Sequence, residues 1–186
     1  MSLTGLLLAA GAGSRLGTPK ALVHDAAGSW LTRAAETLRD GGCDDVTVVL
    51  GAAADEALTL LDGLGVDVVI ASDWADGMSA SLRAGLRALP AEAEAAVVLL
   101  VDLPDVTAEV VRRVVAAGAG PDALTRATFD GRPGHPVLLG RGHWAGVTAT
   151  AAGDRGARDY LAGSDVLLVE CGDLATGDDV DAFRVE

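Results

Sequence analysis

Two stretches of this sequence could do chemistry together. The first is the glycine-rich stretch ending at Lys20, which holds Gly11, Gly13, Arg15 and Gly17. Glycines so spaced let the backbone turn sharply and aim its amides at phosphate oxygens, forming an anion nest. Arg15 adds a fork of donors and Lys20 a mobile point charge. Lys20 is the only lysine of the chain, and it falls in the one loop with the look of a phosphate cradle. The second stretch is VLLVDLPDV, with Asp102 at its centre. A carboxylate at the end of a buried strand can hold Mg²⁺, which bridges phosphate oxygens. The blander alternatives are a structural turn carrying two solvated cations and an Asp that caps the next turn.

The elements that must position these groups read as α/β. Residues 3–9, 46–50, 66–70 and 97–101 are apolar runs of strand length, as in strands buried on both faces. Between them lie helical patterns at residues 30–39, 53–61 and 78–89, the last stopped by Pro90. A further helix runs from a Thr107 cap to about Ala117. The last third predicts two short strands, 123–128 and 137–139, around the turn signal Asp130-Gly131. After them come a short helix at 141–147, a helix at 153–161, a strand at 166–169 and a final helical turn at 178–183. Alternating strands and helices predict a doubly wound, mostly parallel sheet with helices on both faces. Such sheets bind ligands outside the carboxyl ends of their strands, where both stretches fall. With 186 residues and no linker or repeat, residues 1–186 read as a single domain.

Composition excludes several partners. Acidic residues outnumber basic ones 27 to 14, for a formal charge of −13. That charge repels nucleic-acid backbone and anionic membrane, yet leaves room for a small anion at a locally basic site. Half of the residues are hydrophobic but only 3% are aromatic, so Ala, Val and Leu must build the core. Cys43 and Cys171 fit neither a disulfide framework nor a zinc site. With no apolar run of membrane length and no basic leader, the expected location is the cytoplasm.

GAGSRLG also approaches a dinucleotide fingerprint. That motif requires a helix opening at the second glycine, which Thr18-Pro19 disfavours. It also requires an acid after the second strand, where the sequence has Gly51-Ala52. An NAD(P)-dependent oxidoreductase is therefore an alternative that rests on this motif alone.

Taken in order, LAAGAGSRLGTPK, SDWADGMSASLRAGL, VDLPDV, GRPGHPVLL and GDRGARDYL resemble the MobA-like nucleotidyltransferases, in particular their molybdenum cofactor cytidylyltransferase branch. The resemblance spans about residues 5–180. It implies a nucleotide-diphospho-sugar transferase-like fold and Mg²⁺-dependent transfer of CMP from CTP to the phosphate of molybdopterin, with pyrophosphate leaving. Arg15, Lys20 and Asp102 would carry catalysis. The nucleotide would lie along Ala9, Ala10, Gly11, Ala12, Gly13, Ser14, Arg15 and Lys20, with Asp73, Ser79 and Ser81 beside it. Ala10, where the guanylyl branch tends to carry glycine, leans towards CTP over GTP. His135 would touch the acceptor. Arg155 and Arg158 could offer it two guanidiniums, unless Asp154 and Asp159 neutralise them. A molybdoenzyme or cofactor-insertion protein would be a natural partner.

The sequence departs from the family late in the chain. Where members carry an Asp-x-Asp-Thr-Pro-like motif with a second metal ligand, this chain reads Asp173-Leu174-Ala175-Thr176-Gly177. Asp173 is then the second metal ligand expected beside Asp102. Val101 also replaces an expected glycine. These changes keep open a catalytically weak protein that binds nucleotide or cofactor, and a transferase with a different phosphorylated acceptor.

Overall fold

A computed structural model describes residues 2–181. Its strands are β1 (Ser2–Ala9), β2 (His24–Asp25), β3 (Gly28–Ser29), β4 (Asp45–Leu50), β5 (Asp67–Ile70), β6 (Ala93–Leu100), β7 (Leu124–Phe129), β8 (Arg132–Gly140) and β9 (Leu167–Glu170). The helices are α1 (Trp30–Asp40), α2 (Ala54–Leu60), α3 (Met78–Ala88), α4 (Ala108–Ala117), α5 (Arg141–Thr150) and α6 (Arg158–Ala162). Among the described residues, one seven-stranded sheet runs β5-β4-β1-β6-β8-β7-β9, and β2 and β3 form a small hairpin.

Both faces of the central strands are buried because their apolar residues divide between two layers. Leu3, Leu7, Val46, Val48, Val97 and Leu99 pack with Leu31 and Leu38 of α1, Ala57 of α2 and Val110 and Val114 of α4. Leu6, Leu8, Val49, Ala96 and Val98 point the other way, onto Leu82 and Leu86 of α3, Val147 of α5 and Leu161 of α6. A strand alternates its side chains between faces, so a continuous apolar run is what a sheet covered on both sides demands. No described helix is long and apolar enough to cross a membrane.

The structure corrects several details of the sequence reading. The hairpin expected in the last third is present, and its second strand inserts into the sheet: β8 lies antiparallel between β6 and β7, and β9 runs parallel to β7. Asp130 (φ 51°) and Gly131 (φ 77°) form the tight turn that joins β7 to β8, as two positive φ angles in succession allow. β8 begins well before Val137 and so carries His135 on a strand. The helix expected at 153–161 is broken at Gly156 (φ 54°) into a 3₁₀ turn, Gly153–Arg155, and α6. Thr107 holds the cap position of α4, but its side chain makes no capping bond. Residues 178–181 are not helical, and the rest of the expected final turn, 182–183, lies outside the described residues.

A single carboxylate ties the end of the sheet to the segment that follows it. Glu170 accepts from Thr128 Oγ1 (2.8 Å) and from the amides of Asp130 (2.9 Å), Gly131 (3.1 Å) and Gly172 (2.8 Å). These bonds, led by that of Thr128, hold its pKa down at about 2. A folded pKa below the unfolded one stabilises the fold above the unfolded value, and this stability is lost as pH falls through the folded value. Glu170→Gln should therefore flatten the acid limb of a denaturation-midpoint profile between pH 4.5 and 2, and lower the midpoint near neutrality.

Candidate active site

The loop after β1 folds back on itself. Gly13 adopts φ +60°, and a Cβ there would lie 1.9 Å from the carbonyl oxygen of Thr18, so only glycine closes the loop this tightly. Its carbonyl accepts from the amides of Leu16 and Gly17, both at 2.9 Å, and the Lys20 amide reaches Gly11 O at 3.2 Å. No acceptor among the described residues meets the amides of Ala12, Gly13 and Ser14. A 3₁₀ turn, Lys20–Leu22, follows the loop, rather than a helix opening at the second glycine. Three successive amides are thus left without an acceptor among the described residues, and the helix that a dinucleotide fingerprint requires is missing there.

Asp102 stands just beyond β6 and is buried. One carboxylate oxygen, Oδ2, accepts from Lys20 Nζ, and its backbone oxygen accepts from the Val180 amide at 3.0 Å. Its other oxygen, Oδ1, is buried with no hydrogen-bond partner among the described residues. A buried carboxylate oxygen without a partner is costly, and an ion is one explanation for its presence. The Val180 bond brings the C-terminal segment across the edge of the sheet. Asp102, Asp179 and Asp181 then present carboxylate oxygens within 4.8 Å of one another.

Lys20 and Arg15 compensate part of this charge. Asp181 accepts from Lys20 Nζ at 2.8 Å and from Arg15 Nη1 at 2.7 Å. The Lys20 ammonium, and to a lesser degree the Arg15 guanidinium, hold the Asp181 carboxyl below the usual carboxylate range. Burial acts to lower the Lys20 pKa, but hydrogen bonds to Asp102 and Asp181 outweigh it and the net shift is upward. Three hard oxygen donors with excess negative charge suit Mg²⁺ or Mn²⁺.

Asp173 is not part of this group. It makes a two-point ion pair with Arg113 of α4, at 2.5 and 3.0 Å, and this pairing lowers its pKa. The carboxylates that accompany Asp102 are instead Asp179 and Asp181. Their spacing carried a signal: residues two apart on an extended chain point the same way. Reading 178–183 as a helical turn hid it. The substitutions around them also have physical reasons. Ala175 packs against the apolar cluster, where an acid would be desolvated. Gly177 has φ +65°, and a Cβ there would lie 2.2 Å from the Phe129 ring. Asp105 anchors this stretch through its Oδ2, which accepts from the Thr176 amide and Oγ1, both at 2.7 Å.

Two cavities meet at Lys20 and Asp102. The smaller, about 330 Å³, is lined by Ala10, Gly11, Ala12, Trp74 and Ser81. The larger, about 490 Å³, is lined by Arg126, His135, Arg155 and Arg158 over an apolar floor. Lys20, Asp102 and Asp154 border both. Ala9, Gly13, Ser14, Arg15, Asp73 and Ser79 line neither. Ala9 is buried beneath the loop, and Ser14 and Arg15 are on its exposed side. Asp73 is exposed at the start of the turn before α3. Ser79 is buried and accepts from the Gly156 amide at 3.1 Å, a link between α3 and the turn before α6.

His135 is half-buried. Burial first, then the guanidiniums of Arg126 and Arg158, hold its pKa down at about 3. It is therefore neutral at neutral pH, a hydrogen-bonding group rather than a charge. Arg155 pairs with Asp159, so part of its charge is spent within the chain. Sequence reasoning missed Arg126 and Asp154. Asp154 Oδ1 accepts from the Met78 amide at 3.3 Å, across the boundary of the two cavities.

A model of the MobA-like NTP transferase domain matches residues 5–168. The chain belongs to this family. A curated relative from Paenarthrobacter nicotinovorans, named nicotine blue oxidoreductase, is 36% identical over 191 residues, which cover 97% of this chain and 93% of that protein. The crystal structure of Rv0371c from Mycobacterium tuberculosis H37Rv shares 29% identity with a TM-score of 0.81, over 98% of this chain and 94% of that one. The structure of the Rv0371c complex with manganese shares 27% identity with a TM-score of 0.76, over 92% of this chain and 89% of that one. The chain's own three carboxylates are hard oxygen donors, for which Mn²⁺ is a suitable divalent probe. Asp102→Asn should weaken Mn²⁺ binding by at least the roughly 10–100-fold that second-layer changes cost metal sites. Asp173→Asn should leave it unchanged. Calorimetric titration of Mn²⁺ into the three proteins decides whether the site is centred on Asp102.

Proposed function

We propose that this chain transfers CMP from CTP to the phosphate of a molybdopterin-type acceptor in the cytoplasm, with pyrophosphate leaving. The observation that carries the reading is Asp102: a buried carboxylate with one unpartnered oxygen, at the junction of two cavities and beside the free amides of an anion nest. The nucleotide belongs in the smaller cavity and the acceptor in the larger.

Asp102, Asp179 and Asp181 would hold a divalent ion, Mg²⁺ by preference, which when bound neutralises charge on the phosphate oxygens. The remaining work falls to the chain itself. The amides of Ala12, Gly13 and Ser14 orient the triphosphate, and Lys20 offsets the charge that develops as pyrophosphate departs. Arg15, exposed and held among the described residues by Asp181, is free to swing onto the leaving group. The acceptor oxygen is itself the nucleophile, so no protein residue needs to form a covalent bond; alignment and charge compensation suffice. Ala10 lines the nucleotide cavity and favours the smaller base, with GTP as the alternative.

The relative named nicotine blue oxidoreductase supports a second reading, an NAD(P)-dependent oxidoreductase that uses the same cavities. A third, a binding protein without turnover, follows from the altered late motif. One set of assays separates the three. Pyrophosphate release is measured with Mg²⁺ and each of CTP, GTP, ATP and UTP, with and without molybdopterin cofactor, and NAD(P)H oxidation with a quinonoid dye is followed in parallel. We expect release with CTP that requires the acceptor. Asp102→Ala should abolish it, and Lys20→Ala should slow it by roughly 10²–10³-fold, the cost of losing one donor to a developing oxyanion. Dye-dependent NAD(P)H oxidation with no pyrophosphate release would replace this reading with the second. Nucleotide binding without either reaction would replace it with the third.

A further inference from the structure

Trp74 is the one aromatic side chain among the described residues that line the smaller cavity. The chain carries three tryptophans, and the other two have their indole N–H groups engaged. Trp30 Nε1 donates to Asp25 at 2.8 Å, and Trp144 Nε1 to the carbonyl of Leu139 at 2.9 Å. Trp74 Nε1 meets no acceptor among the described residues. The side chain is half-buried and packs on the apolar layer beneath α3. A relay of backbone bonds fixes its place. Beyond β5, the Ala71 amide donates to Leu50 O of β4 at 2.8 Å. The Trp74 amide then donates to Ala71 O at 3.2 Å and opens a 3₁₀ turn, Trp74–Asp76. The Ala52 amide donates to Ala10 O at 3.0 Å, so the chain leaving β4 lies against the chain leaving β1. Gly51 stands in this row. A Cβ there would lie 2.6 Å from Trp74 Cβ, closer still to the ring, and 2.8 Å from Ala10 Cβ. Gly51 is not among the glycines with positive φ. Glycine is therefore required there by the approach of the indole and not by the backbone.

We propose that the nucleobase of the triphosphate packs against the indole of Trp74, and that the missing side chain at Gly51 is the seat that holds the indole in place. The proposal rests on the reading that the smaller cavity takes the nucleotide. The sheet order supports it. β1 lies between β4 and β6, so Gly51 and Asp102 follow strands two places apart. At usual strand spacing that is about 10 Å. A nucleotide with its α-phosphate at Lys20 and Asp102 spans this width with its ribose and brings its base to Trp74. The contact also adds affinity that does not depend on charge, in a chain whose formal charge of −13 opposes a triphosphate. Every base has a stacking face, so Trp74 supplies affinity and leaves the choice of base to Ala10. Gly51 lines neither cavity and acts through Trp74, as a positioning residue.

The test compares ligands that carry a base with one that does not. CTP, GTP and inorganic tripolyphosphate, each with Mg²⁺ and without acceptor, are titrated into the full chain and followed by calorimetry and by tryptophan fluorescence. The result is read on whichever nucleotide binds, since every base can stack. That nucleotide should quench the fluorescence of the wild type, and tripolyphosphate should leave it nearly unchanged. Trp74→Phe should keep nucleotide affinity within a few-fold and lose the quench, which assigns the signal to Trp74. Trp74→Ala should weaken the nucleotide by about 10–100-fold, the range for loss of base stacking, with tripolyphosphate unaltered. Gly51→Ala should weaken the nucleotide in the same selective way, by displacing the indole. Trp74→Phe reports through the quench even if Trp74→Ala does not fold. Three results would each overturn the proposal: nucleotide affinity unaltered in Trp74→Ala, equal losses for nucleotide and tripolyphosphate in a folded Trp74→Ala, or a quench that survives in Trp74→Phe. Absence of binding by both CTP and GTP would overturn it together with the transferase reading. Trp74-dependent nucleotide binding without pyrophosphate release when the acceptor is added would count against the transferase reading alone.

Discussion

The contact on which the site depends is the ammonium of Lys20 set between Asp102 and Asp181. It joins three parts of the chain that are far apart in sequence: the loop after β1, the end of β6 and the C-terminal segment. None could hold its position by its own local preferences. The loop is glycine-rich, Asp102 is buried, and residues 172–181 have no regular secondary structure to stiffen them. Mutual neutralisation fixes all three. It also explains how an acidic chain can keep three carboxylates so close together. Without an ammonium among them, their repulsion in a partly dehydrated pocket would drive the C-terminal segment off the sheet edge.

The architecture that brings these parts together was largely legible. Continuous apolar runs fixed the central strands, because a strand covered on both faces cannot alternate polar and apolar residues. The helices followed from their stripes, and the Asp130-Gly131 turn from its chemistry. What was lost lies where short-range pattern and tertiary contact part company. β8 was read as little more than residues 137–139 because Pro133, Gly134 and Pro136 look like loop. The structure extends it to Arg132 because β7 pairs with its far end, Thr128 opposite Pro133 and Phe129 opposite Arg132, while β6 pairs only from Val137 onwards. The two acids beyond Gly177 were missed for the opposite reason, since a short acidic run near a terminus resembles a solvated turn. Its crossing of the site shows only in tertiary contacts, the Val180 bond to Asp102 and the pairing of Asp181 with Lys20 and Arg15.

Residue by residue, the candidate site shows the same division. Lys20 and Asp102 were singled out as candidates from chemistry alone, and the structure brings them into contact. Ser79 was a fair nucleotide contact by position, yet its hydroxyl serves the turn before α6. Asp173 matched a family motif by alignment of letters, but Arg113 lies in reach and takes it. Arg126 carried no sequence signal as a ligand group. One arginine within a run of strand residues looks like an ordinary solvent-facing position, and its inward direction follows only from the register with β8.

The division of labour at Asp102 links stability to function. Its two oxygens have different fates: one is committed to Lys20 and the other has no partner among the described residues. A carboxylate that only neutralised Lys20 could turn both oxygens towards donors or water. Here the backbone of Asp102 is held by Val180 and one oxygen by Lys20, so the second is left with no donor among the described residues. Strain of this kind persists only where the surrounding structure over-determines it. A cation at Oδ1 would relieve it without breaking the Lys20 contact, so charge compensation in the free protein and ligand binding need not compete. The same carboxylate can then anchor the fold and serve the site, which is why a single buried acid at the end of β6 links the organisation of both cavities.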